Sequence, residues 1–269
     1  MVHEEREREG KVALEAAGVR KIYKKDGREM PVLDVERFAA REGEFITIIG
    51  PSGCGKSTFL HIMGGFIPAD AGTIRVYGSA VNGPGPDRGM MFQEFALFPW
   101  KTVAGNVAWG LEAQGFEKQK IDETVKRYLD IMGLAEFRNH YPAEISGGMK
   151  QRAVFVRVLA FDPKVLLMDE PFGALDAQTR ETMQEEVTRL WERTRKTIVF
   201  VTHDIDEAVY LGDRVVVLSA RPGRIREEVK IDLPRPRGLE VKKSMQCHEY
   251  RNYIWDLIRL ESKGKTNNG

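Results

Sequence analysis

The chain has 269 residues, 42% hydrophobic and 30% charged, enough for one large α/β domain, or a domain with a small appendage, around a substantial core. Forty-one basic residues against forty acidic ones leave a formal charge of +1, a balance that argues against a dedicated nucleic-acid binder. Two cysteines, Cys54 and Cys247, make no disulfide framework and fit a reducing compartment, and no run nears the roughly 18 apolar residues that span a bilayer.

Met1 to Gly10 is charged and lacks an apolar stretch, so it does not read as a signal peptide, and a membrane role would have to pass through a partner chain. Residues 11–25 and 31–39 alternate apolar and polar side chains around Asp26-Gly27, predicting antiparallel strands near a turn. The basic run Arg20, Lys21, Lys24, Lys25 and Arg28 reads as a solvated hairpin rim rather than a phosphate-backbone contact. Phe45 to Ile49 is a short β-prone run that stops at a glycine-rich loop, and a helical pattern follows from Lys56 to about Met63. Gly72 to Tyr77 reads as a strand and Gly83-Pro84-Gly85-Pro86 as a loop.

From about Val103 to Leu159 the pattern is mostly helical, most clearly from Ile121 to Met132, where Val125, Leu129 and Met132 share a face. Strand character returns at 165–168, 198–201 and 215–218, with a helix from about Ala177 to Arg195 between the first two. Strands with few polar positions, joined through a helix, imply a parallel sheet covered on both faces, with the helical block inserted into one α/β core. After Leu218, Arg221-Pro222-Gly223 reads as a turn and Leu233 to Arg237 as an extended proline segment. A short amphipathic helix follows, with Tyr250, Ile254, Leu257 and Ile258 on one face, before a frayed tail from Lys263 to Gly269. No internal repeat is present.

Three segments carry chemistry. Gly50-Pro51-Ser52-Gly53-Cys54-Gly55-Lys56-Ser57-Thr58 fits the phosphate-loop pattern G-x-x-x-x-G-K-[ST] and follows a predicted strand. Its glycines let backbone N–H groups approach phosphate oxygens, and the helix behind it points its positive end at the same anion. Lys56 can reach the β- and γ-phosphates of ATP, and the Ser57 hydroxyl can ligate Mg²⁺. Cys54 reads as a small loop residue, not a reactive thiol. The apolar run Val165 to Met168 ends in Asp169 and Glu170, which suits Asp169 to the metal and Glu170 to orienting and deprotonating a water. Ser146-Gly147-Gly148 before Met149 can cap a helix and bare its first amides; on its residues alone, a simple capped helix is the better reading.

Together these motifs resemble the ATP-binding cassette family over roughly Val12 to Leu218. The resemblance implies a P-loop NTPase core with a mostly parallel sheet, an N-terminal antiparallel β subdomain and an inserted helical subdomain at about 97–159. It sets a cassette domain at 11–225 and a tail with a short helix at 226–269. It further implies that Tyr23 stacks on adenine and that Gln93 senses Mg²⁺ and couples to a membrane domain. Ser146, Gly147 and Gly148 would meet the γ-phosphate held by a second copy, Asp176 would belong to a cross-dimer loop (Ala174-Leu175-Asp176), and His203 would contact the γ-phosphate. The expected partners are thus a second copy in a nucleotide-sandwich homodimer, transmembrane permease subunits at the cytoplasmic face of the cell membrane and, indirectly, a substrate-binding protein.

Met149 departs from the family's usual glutamine; Ser146 and the backbone amides that would bind the anion are retained. The Ser-Gly-Gly-Met form, Phe98-Pro99-Trp100 after Gln93, and the tail segments Leu233 to Arg237 and Ile254 to Ile258 are similar to cassettes of nitrate, sulfonate and taurine importers. Against the importer stand a soluble cassette acting in translation or DNA repair, which would need a second cassette or a long coiled-coil insert, and a regulatory module with little catalysis. Trp109, Trp191 and Trp255 read as packing residues, Trp100 as a partner-facing candidate, and adjacent Cys247 and His248 as surface or packing positions rather than metal ligands.

Overall fold

The computed structural model describes residues 10–263; the charged start Met1–Glu9 and the tail beyond Lys263 lie outside the described residues. Strand β1 (Val12–Lys25) pairs antiparallel with β2 (Arg28–Arg41), and Asp26 and Gly27 between them take φ of 51° and 75°. Positive φ at both central residues is the primed hairpin turn that suits the twist of the flanking strands, which is why Asp-Gly stands there. With β4 (Ala71–Val76) and β5 (Ser79–Ala80) they form a four-stranded sheet in the order β2-β1-β4-β5.

The central sheet contains β3 (Phe45–Ile49), β6 (Arg88–Met91), β7 (Val165–Asp169), β8 (Thr197–Val201), β9 (Arg214–Leu218) and β10 (Ile225–Lys230). Its order is β10-β9-β3-β8-β7-β6, parallel from β9 to β6, with β10 antiparallel on one edge. Every residue of β3, β7 and β8 is buried, as expected of parallel strands covered on both sides. β6 and β10 were not expected. Arg-Gly-Met-Met is too short to show alternation, and the charged Ile225–Lys230 run is what an edge strand uses against further pairing.

Seven α-helices are described: α1 (Lys56–Gly64), α2 (Val103–Ala113), α3 (Lys118–Ile131), α4 (Gly147–Ala160), α5 (Ala177–Thr194), α6 (Ile205–Leu211) and α7 (Met245–Lys263). Ile121, Val125 and Leu129 recur every four residues on α3 and are buried with Met132. Alternate strand residues divide the core. Leu166 and Met168 face α2 to α5, whereas Val165 and Leu167 face α1 and the antiparallel sheet. Leu167 is fully buried, and truncating such a leucine to alanine costs about 2–5 kcal/mol.

The chain after Leu218 is more ordered than the expected tail. β10 extends the central sheet, and α7 spans 19 residues rather than a short stretch. Ile254, Leu257 and Cys247 of α7 pack with Val209 of α6 and Val215 and Val217 of β9. Trp191 is buried as expected, but Trp109 and Trp255 are about half exposed, at 46% and 58%, and Trp100 is 71% exposed. Trp109 packs against Phe98 at the surface, their ring centroids 5.0 Å apart.

Candidate functional site

Parallel strands bring their C-terminal ends to one edge, and the candidate residues follow from that. β3 runs into the loop Gly50-Pro51-Ser52-Gly53-Cys54-Gly55, which leads into α1. The N-cap residue of α1 is Gly55, with φ of 104°, and no side chain caps the helix. A Cβ at Gly55 would sit 2.9 Å from the Val32 carbonyl oxygen, so both the turn and the packing require glycine. The first amides of α1 are therefore left to an anion rather than to a serine or aspartate of the chain itself. Lys56 is buried, and its Nζ donates to the carbonyl oxygens of Gly50 and Pro51 at 3.0 and 3.3 Å. Cys54 is buried within the loop.

β7 ends in Asp169, and the Ser57 hydroxyl donates to Asp169 Oδ1 at 2.9 Å, joining two of the expected metal residues. His61, one turn beyond Ser57 on α1, places Nε2 3.3 Å from Asp169 Oδ2. A hydroxyl and a carboxylate are hard oxygen donors that fit Mg²⁺, an ion that takes few protein ligands and fills its sphere with water and phosphate oxygens. Among the described residues no three His, Cys, Asp or Glu side chains are grouped to hold a metal. The third expected metal residue, Gln93, stands exposed two positions past β6, whose Met91 pairs with Met168 of β7, and the Ser57–Asp169 bond does not include it.

Glu170 follows Asp169 with φ of 42°, a conformation that non-glycine residues seldom adopt. Its amide donates to the Val201 carbonyl of β8 at 2.9 Å, which holds the turn in place. β8 ends just before Thr202 and His203, and His203 Nδ1 lies 2.8 Å from Glu170 Oε2. The strain is thus located where two strand ends bring a carboxylate and an imidazole together.

A cleft of about 530 Å³ opens between these strand ends and the β1–β2 hairpin, lined by Tyr23, Gly53, Lys56, Ser57, Thr58 and Glu170. Ser52 and Gly55 also line it, as do five residues that the sequence did not single out for it, Lys24, Lys25, Met30, Val32 and Arg221. Lys24 and Lys25 are exposed, as expected of a solvated rim, and they also border the cleft, because the hairpin tip lies beside the phosphate loop. Lys21 of the same run is buried, donating to Pro68 O and Asp70 Oδ1 at 2.9 and 3.0 Å. Arg221, in the turn after β9, donates to the Gly53 carbonyl at 3.2 and 3.1 Å. That turn ends beside the loop because β9 is the neighbour of β3, and neighbour order is not written in a sequence. A larger cleft of about 730 Å³ lies among Arg37, Arg41, Glu44 and Arg214, at the opposite ends of the strands. Within it Arg214 pairs with Glu44 and Glu228.

Ser146, Gly147, Gly148 and Asp176 do not line the cleft beside Lys56. Ser146 Oγ accepts the Met149 amide at 3.3 Å and so caps α4. Asp176 caps α5, accepting the Thr179 amide at 3.0 Å and the Thr179 hydroxyl at 2.6 Å. Those bonds, the hydroxyl first, hold the Asp176 carboxyl below the usual carboxylate range. A Cβ at Gly148 would meet Thr179 Cγ2 at 2.6 Å, so the two helix starts sit side by side only because residue 148 is glycine.

The family model described as ABC transporter matches residues 33–173, more than half of the chain. The chain is 48% identical over 223 residues to the nitrate import ATP-binding protein NrtD of Synechocystis sp., covering 81% of this chain and 84% of that one. It is 46% identical to the aliphatic sulfonates import ATP-binding protein SsuB of Bacillus cereus, over 88% of this chain and 92% of that protein. The same identity holds against the taurine import ATP-binding protein TauB of Roseobacter denitrificans, over 89% and 92%. Among solved structures, the ATP-binding cassette MJ0796, dimeric in a post-hydrolysis state with ADP and Pi, superposes with a TM-score of 0.72 at 31% identity, covering 82% of this chain and all of that one.

Proposed function

This chain belongs to the ABC transporter family, and from that we propose that it is the ATP-hydrolysing subunit of an importer, working as a homodimer on membrane permease subunits. The observation that carries the reading is the Glu170–His203 contact of 2.8 Å, made at the strand ends beside a cleft that also holds Lys56 and Ser57. In this reading Tyr23 stacks on adenine, Gly50 to Thr58 cradle the phosphates and Lys56 neutralises the β- and γ-oxygens. Ser57, Asp169 and Gln93 would hold Mg²⁺, which when bound offsets the negative charge of the triphosphate.

Glu170, fixed by its contact with His203, orients a water in line with the γ-phosphorus. As the water oxygen bonds to phosphorus and the bond to the β-bridging oxygen breaks, Glu170 accepts the proton, and ADP and phosphate are released. His203 donates to a γ-phosphate oxygen through its remaining ring nitrogen. Ser146, Gly147, Gly148 and Asp176 of a second copy complete the cage, so ATP bridges two chains and ADP does not. That a similar cassette is dimeric, in a post-hydrolysis state with ADP and Pi, supports a homodimer as the working unit.

The exposed Phe66, Trp100 and Trp109 offer apolar surface to a permease near Gln93, and among the described residues no helix is long and apolar enough to cross a membrane. From its similarity to import ATP-binding proteins we assign the chain to the cytoplasmic face of the membrane as a peripheral subunit. Its similarity to nitrate, sulfonate and taurine import proteins favours a small anion or sulfonate, delivered by a substrate-binding protein, as cargo. The test is Glu170→Gln in the full chain. Phosphate release should fall by about 100-fold or more while ATP still binds and drives a stable dimer. Hydrolysis at the parent rate would remove Glu170 from its role.

A further inference from the structure

The peptide around His203 is anchored by a buried polar chain that reaches the C-terminal segment. Thr202 Oγ1 donates to Glu207 Oε2 at 2.6 Å and accepts the Asp204 amide at 3.0 Å, so the residues on either side of His203 share one hydroxyl. Gln184 of α5 donates from Nε2 to Glu207 Oε1 at 3.2 Å and accepts Lys242 Nζ on Oε1 at 2.6 Å. Thr202, Gln184 and Glu207 are each 6% exposed or less. Arg180 adds a second branch: its Nε lies 4.0 Å from Glu207 Oε1, and its Nη2 donates at 3.0 Å to the carbonyl of Leu175, next to Asp176.

The other end of α6 is held by the proline segment. Arg237 Nη1 donates to the carbonyl oxygens of Val209, Tyr210 and Gly212 at 3.2, 3.0 and 2.7 Å, and its Nη2 to those of Ile231 and Leu233 at 3.2 and 3.3 Å. Arg235 Nη2 donates to the Leu211 carbonyl at 2.6 Å. Helix α6, directly behind His203, is therefore gripped at both ends by residues far from it in sequence.

Stability alone does not call for this arrangement. A buried carboxylate whose nearest cation is 4.0 Å away is a costly way to hold a seven-residue helix, and apolar packing of equal volume is often as stable or more so. What a satisfied buried network provides is one defined arrangement. We propose that Glu207 is a positioning residue for His203, the node through which the Leu175–Asp176 loop and the C-terminal segment set where the imidazole stands. The proposal rests on the reading that His203 acts on the γ-phosphate. It gives the segment after Leu218 a mechanical part in hydrolysis, through Lys242 at one end of α6 and Arg237 at the other.

The experiment uses the full-length chain with Glu207→Leu, Glu207→Gln and Lys242→Met, each alone and combined with His203→Ala. Steady-state phosphate release gives kcat and KM for ATP, and thermal unfolding is recorded alongside. Glu207→Leu should lower kcat by about tenfold or more with KM within about twofold, and Glu207→Gln, which can still accept the Thr202 hydroxyl, should recover most of it. Lys242→Met, at the half-buried end of the chain of bonds, should lower kcat by about threefold without lowering the unfolding temperature. Added to His203→Ala, none of the three should reduce kcat further. Equal fold-losses with and without His203 would overturn the relay while leaving the role of His203 intact. Parent-rate hydrolysis by His203→Ala alone would overturn that role and the proposal with it. Should Glu207→Leu not fold, Lys242→Met and Glu207→Gln decide by the same two readings.

Discussion

Two glycine-rich helix starts in this chain, those of α1 and α4, are similar in composition and differ in what surrounds them. At α1 the N-cap is a glycine in the left-handed region with no side-chain cap, and the ends of β7 and β8 bring Asp169, Glu170 and His203 beside it. At α4 Ser146 spends its own oxygen on the Met149 amide, and the neighbour is a second capped helix start, that of α5. The difference teaches that exposed amides suit a hydrolytic nucleotide site, rather than an anion alone, where other elements add a cation, hard oxygen donors and a carboxylate. The α1 start has all of these within the chain. The α4 start has amides and no such groups beside it, and in the proposed dimer a second copy brings the nucleotide to it.

The sharpest way to break the comparison is Ser146→Arg, which places a bulky cation on the α4 start and leaves the cleft at Lys56 untouched. Hydrolysis by the purified homodimer should fall by about 100-fold or more, with ATP affinity of the single chain within about twofold of the parent. Mixing this variant with Lys56→Ala chains should restore about a quarter of the parent rate, since half of the dimers are mixed and each holds one complete site of two. If the mixture stays inactive while both variants dimerise, or if Ser146→Arg alone turns over normally, the two starts do not belong to one shared site.

A smaller effect is expected inside the half that the chain completes alone. Tyr23 lines the cleft from the β1–β2 hairpin, with Lys21 Nζ 5.5 Å above its ring. An aromatic face that stacks on a base contributes about 1–3 kcal/mol, so Tyr23→Ala should weaken ATP binding by about tenfold. Tripolyphosphate, which has no base, should bind the variant as it binds the parent. Equal losses for both ligands would mean that Tyr23 supports the phosphate loop rather than the adenine.

The same contrast explains what could be read from the residues. The α1 site is written in contiguous runs, because a phosphate loop must follow a strand and an acidic pair must end one; Gly50 to Thr58, Asp169, Glu170 and His203 lie where such runs end. The places of Arg221, Lys24 and Lys25 beside the cleft were not legible, since they depend on β9 lying next to β3 and on the hairpin tip lying beside the phosphate loop. The β6 and β10 strands escaped for a related reason: one is four residues long, and the other is charged because it closes a sheet edge. Nor could the sequence show that Ser146 and Asp176 stand side by side, which rests on the missing Cβ of Gly148 and the methyl of Thr179.

Glu207 stands between the two regions, and its charge offers the smallest test. Burial is the largest influence and pushes its carboxyl above the usual carboxylate range, and Asp204 pushes the same way; the bonds from Thr202 and Gln184 and the charge of Arg180 only partly offset this. A carboxyl raised in the folded state contributes stability below its unfolded value, and that contribution is lost as pH rises through the folded value. Glu207→Gln has no such proton to lose. The unfolding temperature of the variant relative to the parent should therefore climb, by a few degrees at most, as pH is raised from about 5 to 8. A difference that stays flat or falls over that range would mean that Glu207 ionises freely in the fold, with its charge matched by Arg180 or Lys242, and the node would then be an ordinary ion pair rather than a buried acceptor holding the peptide of His203.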